Sequence, residues 1–190
     1  ALAAHNADMN SCSALTVEGQ TVKGKTADGE FAISFNNGKM QTWTYNGKAL
    51  IAEGPDFNSY RKGDNDRNFR PTFSNSASVS VTGALAKSGD NATMSVKGRA
   101  NACQYTIDYT FYPDGVVDMK VTFSPSASLA RMGLGMQFAA GFEDVEYYAR
   151  GPWSNYADGK TGSMIGRYQT SVDDMVDEML LSQCYGDHRD

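Results

Sequence analysis

Positive charge is scarce and unclustered in this chain. Its 190 residues carry 17 Lys and Arg against 22 Asp and Glu, a formal net charge of −5, with no tract of neighbouring basic residues. Nucleic acid and anionic membrane surfaces both demand a basic face, so neither is expected as a partner. Cysteine is sparse too: Cys12, Cys103 and Cys184 are odd in number and far apart, which fits buried or free thiols and not a disulfide framework. The spacing offers no metal site. No apolar run is long enough to cross a bilayer as a helix, and no intact signal peptide is present. The chain starts abruptly with "ALAAHNADMN", which fits a leader lost either to processing or to an artificially chosen start point. Cytoplasm, periplasm and exterior all stay open as compartments. Helical periodicity is nearly absent, which removes the crossover helices that a parallel sheet requires.

What is present is alternation. At 190 residues and 41% apolar composition, one globular domain is expected, able to bury roughly 70% of its unfolded surface without a metal or a disulfide. In "YTIDYTFYPDGVVDMKVTF", Tyr105, Ile107, Tyr109 and Phe111 share one face. On the return, Val117, Met119, Val121 and Phe123 do the same, and Asp114-Gly115 is read as the tight turn of a hairpin. "FAISFNNGKMQTWTYNGKAL" reads as three short strands joined at Asn37-Gly38 and Asn46-Gly47. "SASVSVTGALA" and "ATMSVKGRA" flank the polar turn Ser88 to Asn91, and "ARMGLGMQFAA" and "VEYYARG" add two strands. At least nine strands at this spacing predict an antiparallel sandwich or barrel. "SVDDMVDEMLLSQ" is read as a turn or two of helix.

One stretch interrupts this pattern. "GPDFNSYRKGDNDRN", residues 54–68, breaks the sheet at Gly54 and packs an Arg, a Lys and an Asp-Asn-Asp run between strand-like segments. Arg61 is spaced to fork onto Asp64 or Asp66 and so to fix the loop, leaving Lys62 to solvent. Asp64, Asp66 and Asn68 match the opening of an EF-hand loop, but Phe69 stands where that loop needs Gly and Asn75 where it needs Glu, which argues against calcium.

The segment resembles the charged loop of the β-galactosidase small chain, the C-terminal module of glycoside hydrolase family two β-galactosidases. Pro55, Asn58, Arg61, Asp64, Asn65 and Asp66 match its Pro-x-x-Asn-x-x-Arg-x-x-x-Asp-Asn-Asp pattern. A second block, "ARMGLGMQFAAGFEDVEYYARGPWSNYADGKTG", is similar to that module's Arg-hydrophobic-Gly strand and the Gly-Pro segment after it. Arg131, Gly133, Gly151, Pro152, Asn155, Tyr156 and Asp158 match, whereas Ser154 and Gly159 replace the usual Glu and Arg. "TSVDDM" gives a weaker third echo, and Ser182 and Cys184 depart from the Pro-Gln-Glu stretch that follows in the family. The resemblance runs from about Leu15, giving an N-terminal extension 1–14 and a small-chain module 15–190.

The resemblance implies an all-β antiparallel supersandwich, similar to galactose mutarotases and incomplete here. It packs against a catalytic (β/α)8 barrel of the same polypeptide and lends loops to the rim of a β-galactoside pocket. Subunit packing is among the module's roles, so a homo-oligomer is among the expected partners. The chain itself is expected to hold no cofactor and no metal; the family often binds a divalent metal in its catalytic domain. Asn58, Arg61, Asp64, Asn65, Asp66, Trp153, Asn155, Tyr156 and Asp158 are the candidate rim or loop-fixing residues, and none is assigned a catalytic role.

Retaining glycoside hydrolysis needs two carboxyls about 5–5.5 Å apart. The glutamates are Glu18, Glu30, Glu53, Glu143, Glu146 and Glu178, and no motif pairs any two of them. Asp64 and Asp66 are better read as capping their own loop. A free-standing mutarotase-like epimerase is disfavoured because proton transfer commonly uses His beside a carboxylate, and the only histidines, His5 and His188, lie near the termini. An independent carbohydrate-binding module is the rival reading, with Trp43, Trp153, Tyr60, Tyr147, Tyr148 and Tyr156 available for stacking on sugar. Strand alternation lets at most one of Tyr147 and Tyr148 face inward. "NAT" at Asn91 is read as a surface turn only.

Overall fold

The computed structural model describes residues 5–59, 78–100, 102–129, 132–152 and 160–175. They form thirteen strands and one 3₁₀ turn. These divide between two compact units, one of residues 1–59 and 73–139 and one of residues 60–72 and 140–190.

In the first unit, β1 (Cys12–Glu18), β2 (Thr21–Thr26), β3 (Gly29–Asn36), β4 (Lys39–Tyr45) and β5 (Lys48–Ala49) make an antiparallel meander in chain order. A second sheet is a meander of β7 (Ser78–Ser88), β8 (Asn91–Ala100), β9 (Cys103–Phe111) and β10 (Val117–Pro125). β6 (Ile51–Asn58) pairs with β11 (Gly133–Phe138). The inward rows of the two meanders meet in one core. Leu15, Val22, Phe31, Ile33 and Phe35 come from the first, and Met94, Val96, Tyr105, Ile107, Tyr109 and Phe111 from the second. Phe35 sets its ring edge-on to both Tyr109, at 5.4 Å, and Phe111, at 5.8 Å. This is an antiparallel β-sandwich, one of the two architectures that the alternation leaves open and the one that the resemblance implies.

The predicted faces are recovered residue by residue. Tyr105, Ile107, Tyr109 and Phe111 are buried, and their register partners Phe123, Val121, Met119 and Val117 are half-buried against the same core. Asn37-Gly38 and Asn46-Gly47 have positive φ at both positions, 50° and 82°, then 49° and 77°. That is the backbone of a two-residue hairpin turn whose twist matches the flanking strands.

The Asp114-Gly115 turn differs from expectation. Tyr112 N–H donates to the Val116 carbonyl at 2.9 Å, and Gly115 N–H donates to that of Tyr112 at 3.0 Å. The loop is therefore three residues, Pro113 to Gly115, with only Gly115 left-handed at φ 87°. Pro113 presets the φ that a type I turn needs at its second position, which favours this longer loop.

The expected break at Gly54 is also absent. β6 runs through Gly54 and Pro55 to Asn58. Its register moves from Glu53↔Gln137 to Asp56↔Gly135, so Gly54 and Pro55 together oppose the single residue Met136. A β-bulge accommodates a proline, which has no N–H to give to the ladder.

The second unit contains β12 (Asp144–Gly151), the 3₁₀ turn Lys160–Gly162 and β13 (Met164–Ser171). β12 and β13 pair antiparallel, and Tyr147 stacks on its register partner Tyr168 at 5.5 Å. Arg167 pairs with Glu146, which also accepts from Gln169 Nε2 at 3.1 Å. Of the segment read as a C-terminal helix, the described residues 172–175 form a hydrogen-bonded turn and no helix. Met175 N–H reaches the Ser171 carbonyl at 3.2 Å, and Ser171 Oγ accepts from Asp174 N–H at 3.1 Å, as an N-cap does. Residues 176–183 of that segment lie outside the described residues. Among the described residues no helix is long and apolar enough to cross a membrane.

The core sets an alkaline limit. Burial, with Tyr105 and Asp56 adding to it, pushes the Tyr109 phenol above the ordinary tyrosine value of 10.0. An unfolded chain therefore releases this proton at a pH where the folded chain still keeps it. The stability tied to Tyr109 is fully present below pH about 10 and is lost as pH rises toward the folded-state value. Unfolding midpoints should fall above pH about 10, and Tyr109→Phe should flatten that fall. An identical slope in both proteins would remove Tyr109 as its cause.

Candidate functional site

The two sequence blocks lie about 75 residues apart in the chain, yet the sheet puts them side by side. Asp56, Phe57 and Asn58 pair with Gly135, Leu134 and Gly133. The start of the charged segment and the Arg-hydrophobic-Gly strand are thus one antiparallel ladder. A Cβ on Gly135 would meet the Asn58 amide at 3.1 Å, so the Asn58 side chain lies against this glycine. Asn58 itself is exposed at the end of β6.

Asp56 is the polar centre of this region. Its Oδ1 accepts from the Tyr105 hydroxyl at 3.1 Å and from Phe57 N–H at 2.7 Å, and its Oδ2 meets Lys39 Nζ at 3.1 Å. Tyr105 is 2% exposed, and a buried phenol needs an acceptor, which the Asp56 carboxylate supplies. The Tyr105 ring stacks on Phe57 at 5.7 Å, and Phe123 meets Phe57 edge-on at 5.8 Å. One side chain of β9 therefore grips two consecutive residues of β6. Beside Asp56, a groove of about 230 Å³ runs between β4 and β6, lined by Lys39, Gln41, Glu53 and Asp56 among others.

Of the candidate site residues, Asn58 lies on this ladder. Arg61, Asp64, Asn65, Asp66, Trp153, Asn155, Tyr156 and Asp158 lie outside the described residues, as do Lys62, Arg131 and Tyr60. Pro55 occupies the bulge, Gly133 pairs with Asn58, and Gly151 ends β12, joined to Pro152 by a cis peptide. Trp43 packs against the core, so its face is committed to folding. Tyr148 is 76% exposed whereas Tyr147 is half-buried, as alternation requires.

Five of the six glutamates are described, and each sits at the surface. Glu18 pairs with Lys23 at 2.6 Å and Glu30 with Lys25 at 3.3 Å, Glu143 accepts from Gly141 N–H at 2.9 Å, and Glu146 pairs with Arg167. Among the described residues no group of three His, Cys, Asp or Glu is placed to hold a metal ion.

Two arrangements had no sequence signal. Asp56 lies within the quoted stretch, but its partners come from β4 and β9. His5, set aside for lying near a terminus, gives Nε2 to Asp114 at 2.7 Å and stands edge-on to Tyr112 at 4.8 Å.

Residues 25–190 match the family described as beta galactosidase small chain. The chain belongs to that family. It is 33% identical over 87 residues to a β-galactosidase of Priestia megaterium, an alignment covering 44% of this chain and 8% of that protein. It is 30% identical over 83 residues to the β-galactosidase of Halalkalibacterium halodurans, covering 40% and 8%. A β-galactosidase of Staphylococcus xylosus is 33% identical over 73 residues, covering 38% and 7%. The chain thus matches less than a tenth of the length of these curated relatives.

Proposed function

We propose that this chain is the non-catalytic β-sandwich part of a β-galactosidase. In this reading the segment after Asn58 shapes the rim of the galactoside pocket, and the sandwich packs against a catalytic (β/α)8 barrel of the same polypeptide. The pairing of β6 with β11 carries the reading, because it gathers both family blocks onto one ladder from which the charged segment departs. The small share of each relative that aligns, 7 or 8% of its length, supports a catalytic apparatus located elsewhere. Any divalent metal of the enzyme is assigned to that catalytic part.

A pocket assembled between domains loses most of its walls when one domain is missing. The purified chain should therefore leave an aryl β-galactoside unhydrolysed. It should bind galactose or lactose at best in the millimolar range, about −4 kcal/mol. Turnover abolished by changing one of its glutamates to Gln would overturn the reading. Micromolar binding lost in Trp153→Ala would replace it with an independent carbohydrate-binding module.

A further inference from the structure

Three irregularities of the sheets converge on the groove between β4 and β6. In β4 the register against β3 moves from Phe35↔Met40 to Ser34↔Thr42, leaving Gln41 as an extra residue. In β6 the register against β11 moves from Ile51↔Phe138 to Glu53↔Gln137, leaving Ala52 extra, and the bulge at Gly54 and Pro55 follows. All four of these bulged residues line the groove. A bulge interrupts its ladder and re-aims what it carries, which is why bulges recur beside binding sites. The two strands belong to different sheets and approach closely at Gly54, where an added Cβ would lie 2.3 Å from the Met40 carbonyl oxygen. Backbone therefore bounds the groove there, and its polar walls are Lys39 and Gln41 on one strand and Glu53 and Asp56 on the other.

These walls are set in advance from the core. The Tyr105 hydroxyl and the Phe57 N–H clamp Asp56 Oδ1 at 3.1 and 2.7 Å, while Oδ2 holds Lys39 Nζ at 3.1 Å. A buried phenol thus fixes a carboxylate, and the carboxylate fixes an ammonium that has three donors and gives one of them to Asp56. Gln41 Nε2 reaches the Lys39 carbonyl only at 3.5 Å, the outer limit of a hydrogen bond, so its amide still offers a donor and an acceptor. Glu53 adds an exposed carboxylate.

We propose that this groove is a binding site for a small neutral polyhydroxy compound, one sugar ring in size and separate from the galactoside pocket. It does not rest on the pocket-rim reading, because every wall belongs to described residues of the first unit. A volume of about 230 Å³ lies below the roughly 300–1,000 Å³ of pockets for drug-sized ligands, which limits the occupant to a single ring. Each hydroxyl both donates and accepts, so neighbouring hydroxyls can accept from Lys39 and Gln41 and donate to Glu53. An anion would face Glu53 and Asp56, and a cation would face the Lys39 ammonium. Among the described residues that line the groove there is no aromatic side chain. Affinity therefore comes from hydrogen bonds exchanged with water and falls in the millimolar range.

Galactose titrated into the purified chain should shift the backbone amide resonances of Lys39, Gln41, Ala52, Glu53 and Asp56 together and saturate with a millimolar Kd. Gln41→Ala and Glu53→Ala change exposed side chains, so the fold is kept, and each should weaken this binding about fivefold, the scale of one hydrogen bond. The double variant should lose it. Trp153→Ala should leave it within about twofold, and so should an approximately tenfold rise in salt, because a neutral ligand has no charge to screen. Galacturonate should bind more weakly than galactose. Shifts at these residues that fail to saturate by about 100 mM galactose, or that persist in the double variant, overturn the site. Tighter binding of galacturonate or of galactosamine than of galactose, or a marked salt dependence, overturns the neutral ligand. Saturable shifts confined to residues 153–158 overturn the groove as well and leave the pocket-rim reading standing.

Discussion

Phe57→Ala is expected to destabilise the first unit by about 3–5 kcal/mol, the cost of emptying a fully buried aromatic site that cannot collapse. Phe57 is 1% exposed, stacks on Tyr105 and takes the edge of Phe123 at 5.8 Å, so truncation opens a void bounded by two rigid rings. The loss reaches beyond the void, because Phe57 and Ile51 are the fully buried apolar side chains by which β6 joins the common core. A typical domain has only about 5–15 kcal/mol of net stability, so this variant gives up a large share of it. Glu53→Ala on the same strand removes an exposed side chain and should stay within about 0.5 kcal/mol of the parent. Urea midpoints followed by Trp43 fluorescence in a Trp153→Phe background report on the first unit alone, because Trp43 packs on its core. Matching midpoints for Phe57→Ala and Glu53→Ala would show that β6 is held by its ladder to β11 and not by its seat in the core.

Legibility followed burial. β9 was readable because every second residue is large, apolar and buried, and β10 because its partners repeat that period across the ladder. β1 and β2 escaped because Gly24 and lysines dilute their alternation: Leu15 and Val22 are the fully buried positions. β13 escaped for the opposite reason, since its apolar residues Met164 and Ile165 are 80% and 51% exposed and mark no inward face. At the site, the motif residues could be found by resemblance, but the contacts could not. Tyr105 and Asp56 are 49 positions apart and lie in different sheets, so they meet only where those sheets pack on a common core. His5 and Asp114 are 109 apart, and nothing local to either announces the other. Proline was the instructive error: it does disqualify a residue from donating to a ladder, but a bulge removes the need for that donor.

The register of β8 against β9 carries the last expectation. Gly98 is the direct partner of Tyr105, and the Tyr105 ring lies across it so closely that a Cβ there would fall within the ring's own Cζ, Cε1 and hydroxyl. No rotation of a β-branched side chain relieves that overlap, because the clash begins at Cβ. Gly98→Val must therefore push Tyr105 off its site, and Tyr105 is a core residue at 2% exposure, stacked on Phe57 and bonded to Asp56. Overpacking costs typically 1–3 kcal/mol, and the lost hydrogen bond to a carboxylate places this variant near the top of that range, at about 3 kcal/mol. Valine is otherwise a better strand former than glycine, so on propensity alone the substitution would stabilise β8 by up to about 1 kcal/mol. The two effects have opposite signs, and the urea midpoint decides between them. A fall in the midpoint that is smaller in the Tyr105→Ala background than in the parent would trace the cost to the ring. A rise in the parent would mean that the ring does not lie across Gly98, and the clamp on Asp56 would lose its foundation.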